Sequence, residues 1–567
     1  MYEELRQVWG QLTAEGGPFE IEQVTVRGVP VKSFKNAAPT LRDFWLQSAA
    51  QGDKDHLVYG DERWTFADAH REVASAAAWL SSQGIGSGDR VAIAMRNYPE
   101  WMLAYWATVS IGATAVGMNA WWTGPEMVYG LQDAAPRVLI ADAQRLEILA
   151  PQRSEVGDFI TVSVRAEGAG PSDAVDWSEL KAAPSEMPEV EVDPDSDACI
   201  FYTSGTTGRP KGAQLTHRGC TNNIMGVAFG GLAFASASRL AQGTQQETPP
   251  SPPRSLSALV VTPLFHVTAN NCVAHAATLA GGKLVLMYKW EPGEALKLIE
   301  REQITNLSGV PVMARELIAH PDFSKYDTSS LAALGGGGAP LQPDLVEKID
   351  KQVATARPST GYGMTETCGI ITSNAADFFV DKPASAGPAM PNFEAKCVDD
   401  SGKDLAPGEV GELWVRSAQI IAGYLNRPEA TAESITEGWL HTGDVARIDE
   451  DGFIFIVDRA KDMVLRGGEN VYCAEVETVV FEHDDVAECA VFGVPDDRLG
   501  EEVAAAVVLK SGSATTAEDL RAHCGARLAK YKIPRYIWLL EESLPRNANG
   551  KFLKRQLRDE LDLAEAT

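Results

Sequence analysis

Short apolar runs alternate with longer stretches of helical period through the first three-quarters of the chain. RVAIAM (90–95) precedes a helical pattern at 100–112, and RVLIAD (137–142) follows it. ACIFYTSG (198–205), LSALVVTPL (256–264) and GKLVLMYKW (282–290) continue the series. Compact apolar runs of this kind predict buried strands. Their alternation with helices predicts an α/β fold built on mostly parallel sheets. In such folds ligands gather at the carboxyl ends of strands. Trp101–Thr123 carries no charge over a length that could cross a bilayer, but Ser110, Gly112, Thr114, Gly117 and Asn119 interrupt it. Because it follows a strand, it predicts a buried crossover helix, not a membrane span.

The pattern changes at 450–470, EDGFIFIVDRAKDMVLRGGEN, where a DG turn precedes an alternating strand and a charged DRAKD precedes a Gly-Gly turn. The remainder alternates short strands, AECAVFGVP (487–495) and EVAAAVVLK (502–510), with helices, as a compact α+β domain would. The expected division is a large N-terminal domain over 1–457, a hinge at 458–461 and a small C-terminal domain over 462–567. The Pro- and Gln-rich stretch 240–254 reads as a surface loop, because strand signals resume on both sides.

A chain of 567 residues exceeds one ordinary core. Its net charge of −28 argues against nucleic-acid binding, which runs on Lys and Arg neutralising phosphates. The eight cysteines form no C-x-x-C pair and predict reduced thiols in a cytoplasm. The acidic, polar start MYEELRQVWG is not a signal peptide. No interface pattern is readable; a homodimer is compatible with the sequence.

Residues 202–212, YTSGTTGRPKG, crowd hydroxyls and glycines around Lys211 directly after a strand signal. Backbone N–H groups, Ser/Thr hydroxyls and one ammonium make a cradle for phosphate oxygens. The Walker A pattern does not fit, since no Ser or Thr follows Lys211.

With PLFHV (263–267), GYGMTET (361–367), WLHTGD (439–444), DRAKDMVLRGGENVY (458–472) and PRNANGK (545–551), this loop resembles the adenylate-forming superfamily. That family includes acyl-CoA synthetases, peptide-synthetase adenylation domains and luciferase, and the chain most resembles medium- and long-chain fatty acyl-CoA synthetases. The resemblance implies ATP, Mg²⁺ and coenzyme A as cofactors. The implied reaction turns carboxylate, ATP and CoA into acyl-CoA, AMP and diphosphate through an acyl-AMP.

It also implies residue roles. Thr203, Ser204, Gly205, Thr206, Thr207, Gly208 and Lys211 would cradle the β/γ-phosphates, with Thr206 and Glu366 at the metal. The LGGGGAP run (334–340), with Gly338, Ala339 and Pro340, would border the adenine. Within Gly361–Gly363 and Met364, Tyr362 would stack on that ring, and Thr365 would touch the α-phosphate. Asp444 and Arg459 would hold the ribose, and His266 would gate the acyl end. Lys551, taken at an ordinary lysine pKa, would bridge carboxylate and α-phosphate. Lys461 would be the hinge residue, and Gly467 and Gly468 would let pantetheine pass in a second domain pose. Where relatives often carry Pro, this chain has Cys473, a candidate oxidation site.

The pocket between His266, Gly309–Pro311 and the 335–338 glycines is expected to be apolar and roomy, and the acid a fatty acid. Two alternatives stand beside this reading. One is an acyl-AMP ligase loading a separate carrier protein, for which no hinge-side insertion is visible after 445. The other is a non-catalytic ATP-binding sensor, which should have lost Lys551 or Glu366.

Overall fold

Two eight-stranded sheets carry most of the N-terminal region. The computed structural model describes residues 1–567 except 169, 204–208, 244–254, 339–340, 354, 460, 468 and 548–549. One sheet runs, edge to edge, Gly423–Tyr424, Lys211–Thr216, Asp197–Thr203, Thr114–Gly117, Arg90–Ala94, Val138–Asp142, Ile160–Val164, Val175–Asp176. The other runs Gly369–Ala375, Arg357–Met364, Ala333–Gly337, Asn306–Gly309, Ser257–Val260, Lys283–Leu286, Asp55–Tyr59, Glu62–Thr65. Interior strands pair in parallel, as the alternating pattern predicts; antiparallel pairs close three of the four edges, and Ile160–Val164 with Val175–Asp176 closes the fourth in parallel.

The uncharged run 101–123 divides in two. Pro99, whose fixed φ suits a first helical turn, opens the helix Pro99–Ser110, every residue of which is buried. The chain then turns into Thr114–Gly117, a fully buried strand between two parallel neighbours. Trp106 of this helix stacks on Trp45 at 4.9 Å. One core joins the helix to Val91 and Ile93 of the first sheet and to Ala258, Val260 and Leu284 of the second. The two sheets are thereby welded with their strand ends along a common rim. His217–Ala241 is the one helix among the described residues long and apolar enough to cross a membrane. It packs on the helix Tyr2–Thr13 and the strand Gly369–Ala375.

A third sheet is antiparallel throughout: Gly387–Pro388, Phe453–Arg459, Trp439–Ile448, Gly411–Arg416 and Glu394–Val398. Its long strand Trp439–Ile448 buries alternate residues, the mark of a sheet with one face on a core. The strand Phe453–Arg459 runs two residues into the expected hinge.

Beyond it, Val486–Asp496 and Gly500–Leu509 form a long antiparallel ladder, with Tyr536–Leu540 parallel to the second strand. The helices Cys473–Phe481 and Ala517–Gly525 close a separate core on this sheet. The ladder register and this self-contained core account for the compact α+β reading of the C-terminal segment.

Candidate active site

Asp197–Thr203 is an interior strand, and its chain returns antiparallel as Lys211–Thr216, so Thr203 sits opposite Lys211. The intervening Ser204, Gly205, Thr206, Thr207 and Gly208 lie outside the described residues. The Lys211 ammonium stands 4.6 Å from the centre of the Tyr424 ring, a cation–π distance. The Tyr424 hydroxyl donates to Glu366 Oε1 at 2.8 Å. Burial and then the Glu366 charge push the Tyr424 phenol well above its ordinary range, so it stays a donor. Glu366 lies buried on the short turn Thr365–Thr367 that ends the strand Arg357–Met364. Lys211, Tyr424 and Glu366 therefore form one continuous line, although Tyr424 was not among the residues singled out in the sequence. The run IIAGYLN reads there as plain core, and only the pairing of Gly423–Tyr424 with Ala213 and Gln214 brings the ring to the lysine.

A second line lies on the antiparallel sheet. Asp444 and Arg459 are directly opposed in the ladder, and Arg459 Nε lies 3.0 Å from Asp444 Oδ1. The Tyr362 hydroxyl donates to the other carboxylate oxygen at 2.6 Å. Tyr362 is therefore fixed at its polar end, which leaves its ring orientation defined. Gly363 is required by packing, because a Cβ there would lie 1.9 Å from the Gly369 carbonyl. Gly361 pairs with Gly337 across the parallel ladder.

The glycines of 335–338 divide by role, which corrects the expectation of a uniformly roomy pocket. A Cβ on Gly335 would meet Ser359 at 2.3 Å, one on Gly336 would meet Leu341 at 2.1 Å, and one on Gly309 would meet Met313 at 2.7 Å. Gly335 is required by packing, since the Ser359 backbone carbonyl is also 2.5 Å away; at Gly336 and Gly309 the neighbours are the ends of flexible side chains. Gly337 has only ordinary contacts, to Thr268 at 3.8 Å, and Gly338, at φ +78°, faces open space. Ala339 and Pro340 lie outside the described residues.

His266 follows the strand Ser257–Val260 of the second sheet. Its Nδ1 accepts from the Thr268 amide at 3.3 Å and lies 3.1 Å from the Thr268 hydroxyl, which assigns the neutral ring's hydrogen to Nε2. Burial, and then the positive charge of Lys551, lower its pKa to about 3. His266 is a neutral donor at any working pH, not an acid or base.

Lys551 reaches this site from the C-terminal segment. Its loop is held by Lys551 N donating to Asn547 Oδ1 at 3.0 Å and by Arg546 donating to the Gly550 carbonyl at 2.9 Å. Gly550, at φ +75°, lies so close to the N-terminal region that a Cβ would sit 2.8 Å from Val310 Cγ2. The Lys551 side chain keeps access to solvent, yet desolvation by the protein around it lowers its pKa to about 8; Arg459 and Lys461 push the same way, and Asp444 and Glu366 oppose them. This corrects the expectation of an ordinary lysine, yet the ammonium is still the main form at pH 7.

Lys461 is exposed; partial desolvation and the charge of Arg459 lower its pKa. The hairpin Val464–Arg466/Glu469–Val471, with Gly467 at φ +60°, points to solvent, and Leu465 is 55% exposed. Gly468 lies outside the described residues. Cys473 is fully buried, and its thiol donates to the Asp462 carbonyl at 3.0 Å. Burial raises its pKa, which removes it as an oxidation site. Beside it Asp458 accepts from the Cys473 and Arg459 amides, tying the end of the N-terminal sheet to the first C-terminal helix.

A family model described as AMP-binding enzyme matches residues 44–425, and one described as AMP-binding enzyme C-terminal domain matches residues 475–551. The chain is 37% identical over 504 residues to a feruloyl-CoA synthase of Amycolatopsis sp, covering 88% of this chain and 94% of that protein. It is 32% identical over 552 residues to a long-chain-fatty-acid–CoA ligase of Bacillus subtilis (strain 168), covering 92% and 94%. Among solved structures, o-succinylbenzoate CoA synthetase from Bacillus subtilis, in complex with its acyl-adenylate intermediate, superposes with a TM-score of 0.74 at 30% identity, covering 91% of this chain and 98% of that one.

Proposed function

The chain belongs to the AMP-binding enzyme family, and from that premise we propose that it joins an apolar carboxylic acid to coenzyme A through an acyl-adenylate. The observation that carries this reading is Lys551, brought from the C-terminal segment into the field of Glu366, Asp444, Arg459 and Lys461 with Gly550 seated on Val310. A carboxylate and a triphosphate repel each other, and a fixed cation at the forming bond offsets that repulsion where it is greatest. The carboxylate oxygen attacks the α-phosphorus and diphosphate leaves. The CoA sulfur then attacks the acyl carbon and AMP leaves.

In this reading Lys211, Thr203 and the loop Ser204–Gly208 hold the leaving phosphates, Thr365 meets the α-phosphate, and Asp444 with Arg459 fixes the ribose. Among the described residues, Glu366 has one oxygen occupied by Tyr424 and the other left for a ligand. A single carboxylate oxygen suits Mg²⁺, which takes one or two carboxylates and completes its shell with phosphate oxygens and water. Glu366 and the Thr206 hydroxyl would hold it, and it would offset phosphate charge. The domains are 1–457 and 462–567, turning about 458–461. The solvent-facing hairpin with Gly467 supports a second pose in which it replaces Lys551 at the site.

Gly550→Ala tests the pose. A side chain at φ +75° costs about 1–2 kcal/mol, and the added Cβ also meets Val310. Adenylation should fall roughly tenfold, while conversion of supplied acyl-adenylate to the CoA ester is spared; equal loss in both would mean the pose is not specific to adenylation. pH tests the lysine. Its pKa is depressed to about 8, so the cation is present below that value and lost above it. kcat/KM for ATP should fall about tenfold per pH unit above 8, and a flat profile to pH 10 would remove Lys551 from the step.

The acid is expected to be a fatty acid, in keeping with the long-chain ligase likeness. The higher identity to a feruloyl-CoA synthase supports a second reading, an aromatic propenoic acid. Diphosphate exchange into ATP, measured with straight-chain acids of increasing length and with hydroxycinnamic acids, separates the two. Exchange with neither class would overturn both.

A further inference from the structure

The two large sheets end on a common rim, and one feature there is not used by the adenylation chemistry. Arg96 follows the strand Arg90–Ala94. Its neighbour Asn97 bolts that strand end to the other sheet, donating to the Thr262 carbonyl at 2.9 Å and accepting from the Leu264 amide at 2.9 Å. Arg96 N donates to Asp142 at 3.2 Å, so the residue's backbone is held from two sides. Its guanidinium lies 4.8 Å from the centre of the Trp121 ring and 5.0 Å from that of Tyr288. Those rings follow the strands Thr114–Gly117 and Lys283–Leu286, and they are 47% and 39% exposed. Trp121 also packs edge-on against Phe265, the residue before His266, at 6.1 Å. The patch is thus continuous with the proposed acyl end of the site.

Charge makes the arrangement unusual. In a chain of net charge −28, no carboxylate among the described residues pairs with Arg96, although arginines elsewhere, such as Arg165 with Glu62 and Glu100, are paired. Lys289, exposed and next to Tyr288, likewise has no ion pair among the described residues. An unpaired guanidinium between two exposed aromatic faces suits a ligand that carries both a flat π-system and phosphate. Arginine stacks on rings and binds phosphate with the same planar group, and exposed aromatics supply stacking platforms for bases. An acyl tail would gain nothing from an unpaired cation, and ATP has its own place between Tyr362, Asp444 and Lys211.

We propose that Arg96, Trp121 and Tyr288 form the docking surface for the nucleotide end of coenzyme A, its adenine on the aromatic faces and its phosphates on Arg96. The pantetheine arm then enters past Phe265 and His266. This rests on the CoA-ligase reading. Its test compares CoA with pantetheine, which carries the same thiol and lacks the nucleotide, in the full-length enzyme. Arg96→Ala and the more exposed Trp121→Ala should each raise KM for CoA about tenfold, the scale of one stacking or charge contact. With pantetheine as acceptor both variants should match the wild type, and inhibition by adenosine 3′,5′-bisphosphate should weaken in parallel with CoA. Equal losses with both acceptors, or a shift in KM for the acid instead, would overturn the docking surface while leaving the ligase intact. A wild-type enzyme that adenylates its acid but uses neither acceptor would overturn the CoA reading itself.

Discussion

Replacing Lys551 with alanine should lower acyl-adenylate formation by about 10²–10³-fold, the loss expected when one preorganised electrostatic group is removed from a developing charge. The reasoning is geometric. Lys211 stands with Tyr424 and Glu366 on the proposed phosphate side, and Arg459 is engaged by Asp444. Without Lys551, neither of those cations is free to bridge the forming bond. Conversion of supplied acyl-adenylate to the CoA ester should be largely retained, because the proposed second pose withdraws Lys551 from the site. Arginine at the same position keeps charge at high pH, so activity remaining in Lys551→Arg should lack the decline above pH 8. Equal loss of both half-reactions in the alanine variant would make Lys551 a structural residue.

Lys461→Pro should give the opposite pattern. Proline fixes φ near −65° and restricts the residue before it. In this structure Asp462 and Met463 both donate to the Arg459 carbonyl, and the Lys461 amide donates to no acceptor among the described residues. Proline thus removes no described hydrogen bond from the present pose, and diphosphate release in a single turnover should survive. The proposed second pose would require new dihedral angles in this turn. A penalty of about 2.8 kcal/mol on it corresponds to about a hundredfold loss of CoA-ester formation. A normal ester yield would place the hinge elsewhere, for instance at Asp458, which ties the sheet end to the helix Cys473–Phe481.

What the sequence made legible was local. The parallel sheets followed from short apolar runs, and the hydroxyl-rich loop announced itself because its composition suits no core. Of the third sheet only the strand after the DG turn, Phe453–Arg459, was legible; the partners it pairs with were not, because that pairing is set by contacts far apart in the chain. The line from Lys211 through Tyr424 to Glu366 was hidden for the same reason, since its members lie on three separate segments. Lys551 was readable as a cation but not as one with a lowered pKa, because the shift arises from desolvation by the folded protein and from Arg459, which is distant in sequence. Glycines misled in the other direction. Gly335 and Gly336 suggested space, whereas Ser359 and Leu341 already fill it.

Oxygen-18 transfer is the most direct test of the acyl-adenylate route. An acid labelled in both carboxylate oxygens is turned over with ATP and CoA, and the AMP is weighed by mass spectrometry. Attack of that carboxylate on the α-phosphorus, followed by displacement by the CoA thiol, leaves one labelled oxygen in AMP for each thioester formed. Unlabelled AMP alongside labelled phosphate or diphosphate would contradict the route and move the chemistry to another phosphorus.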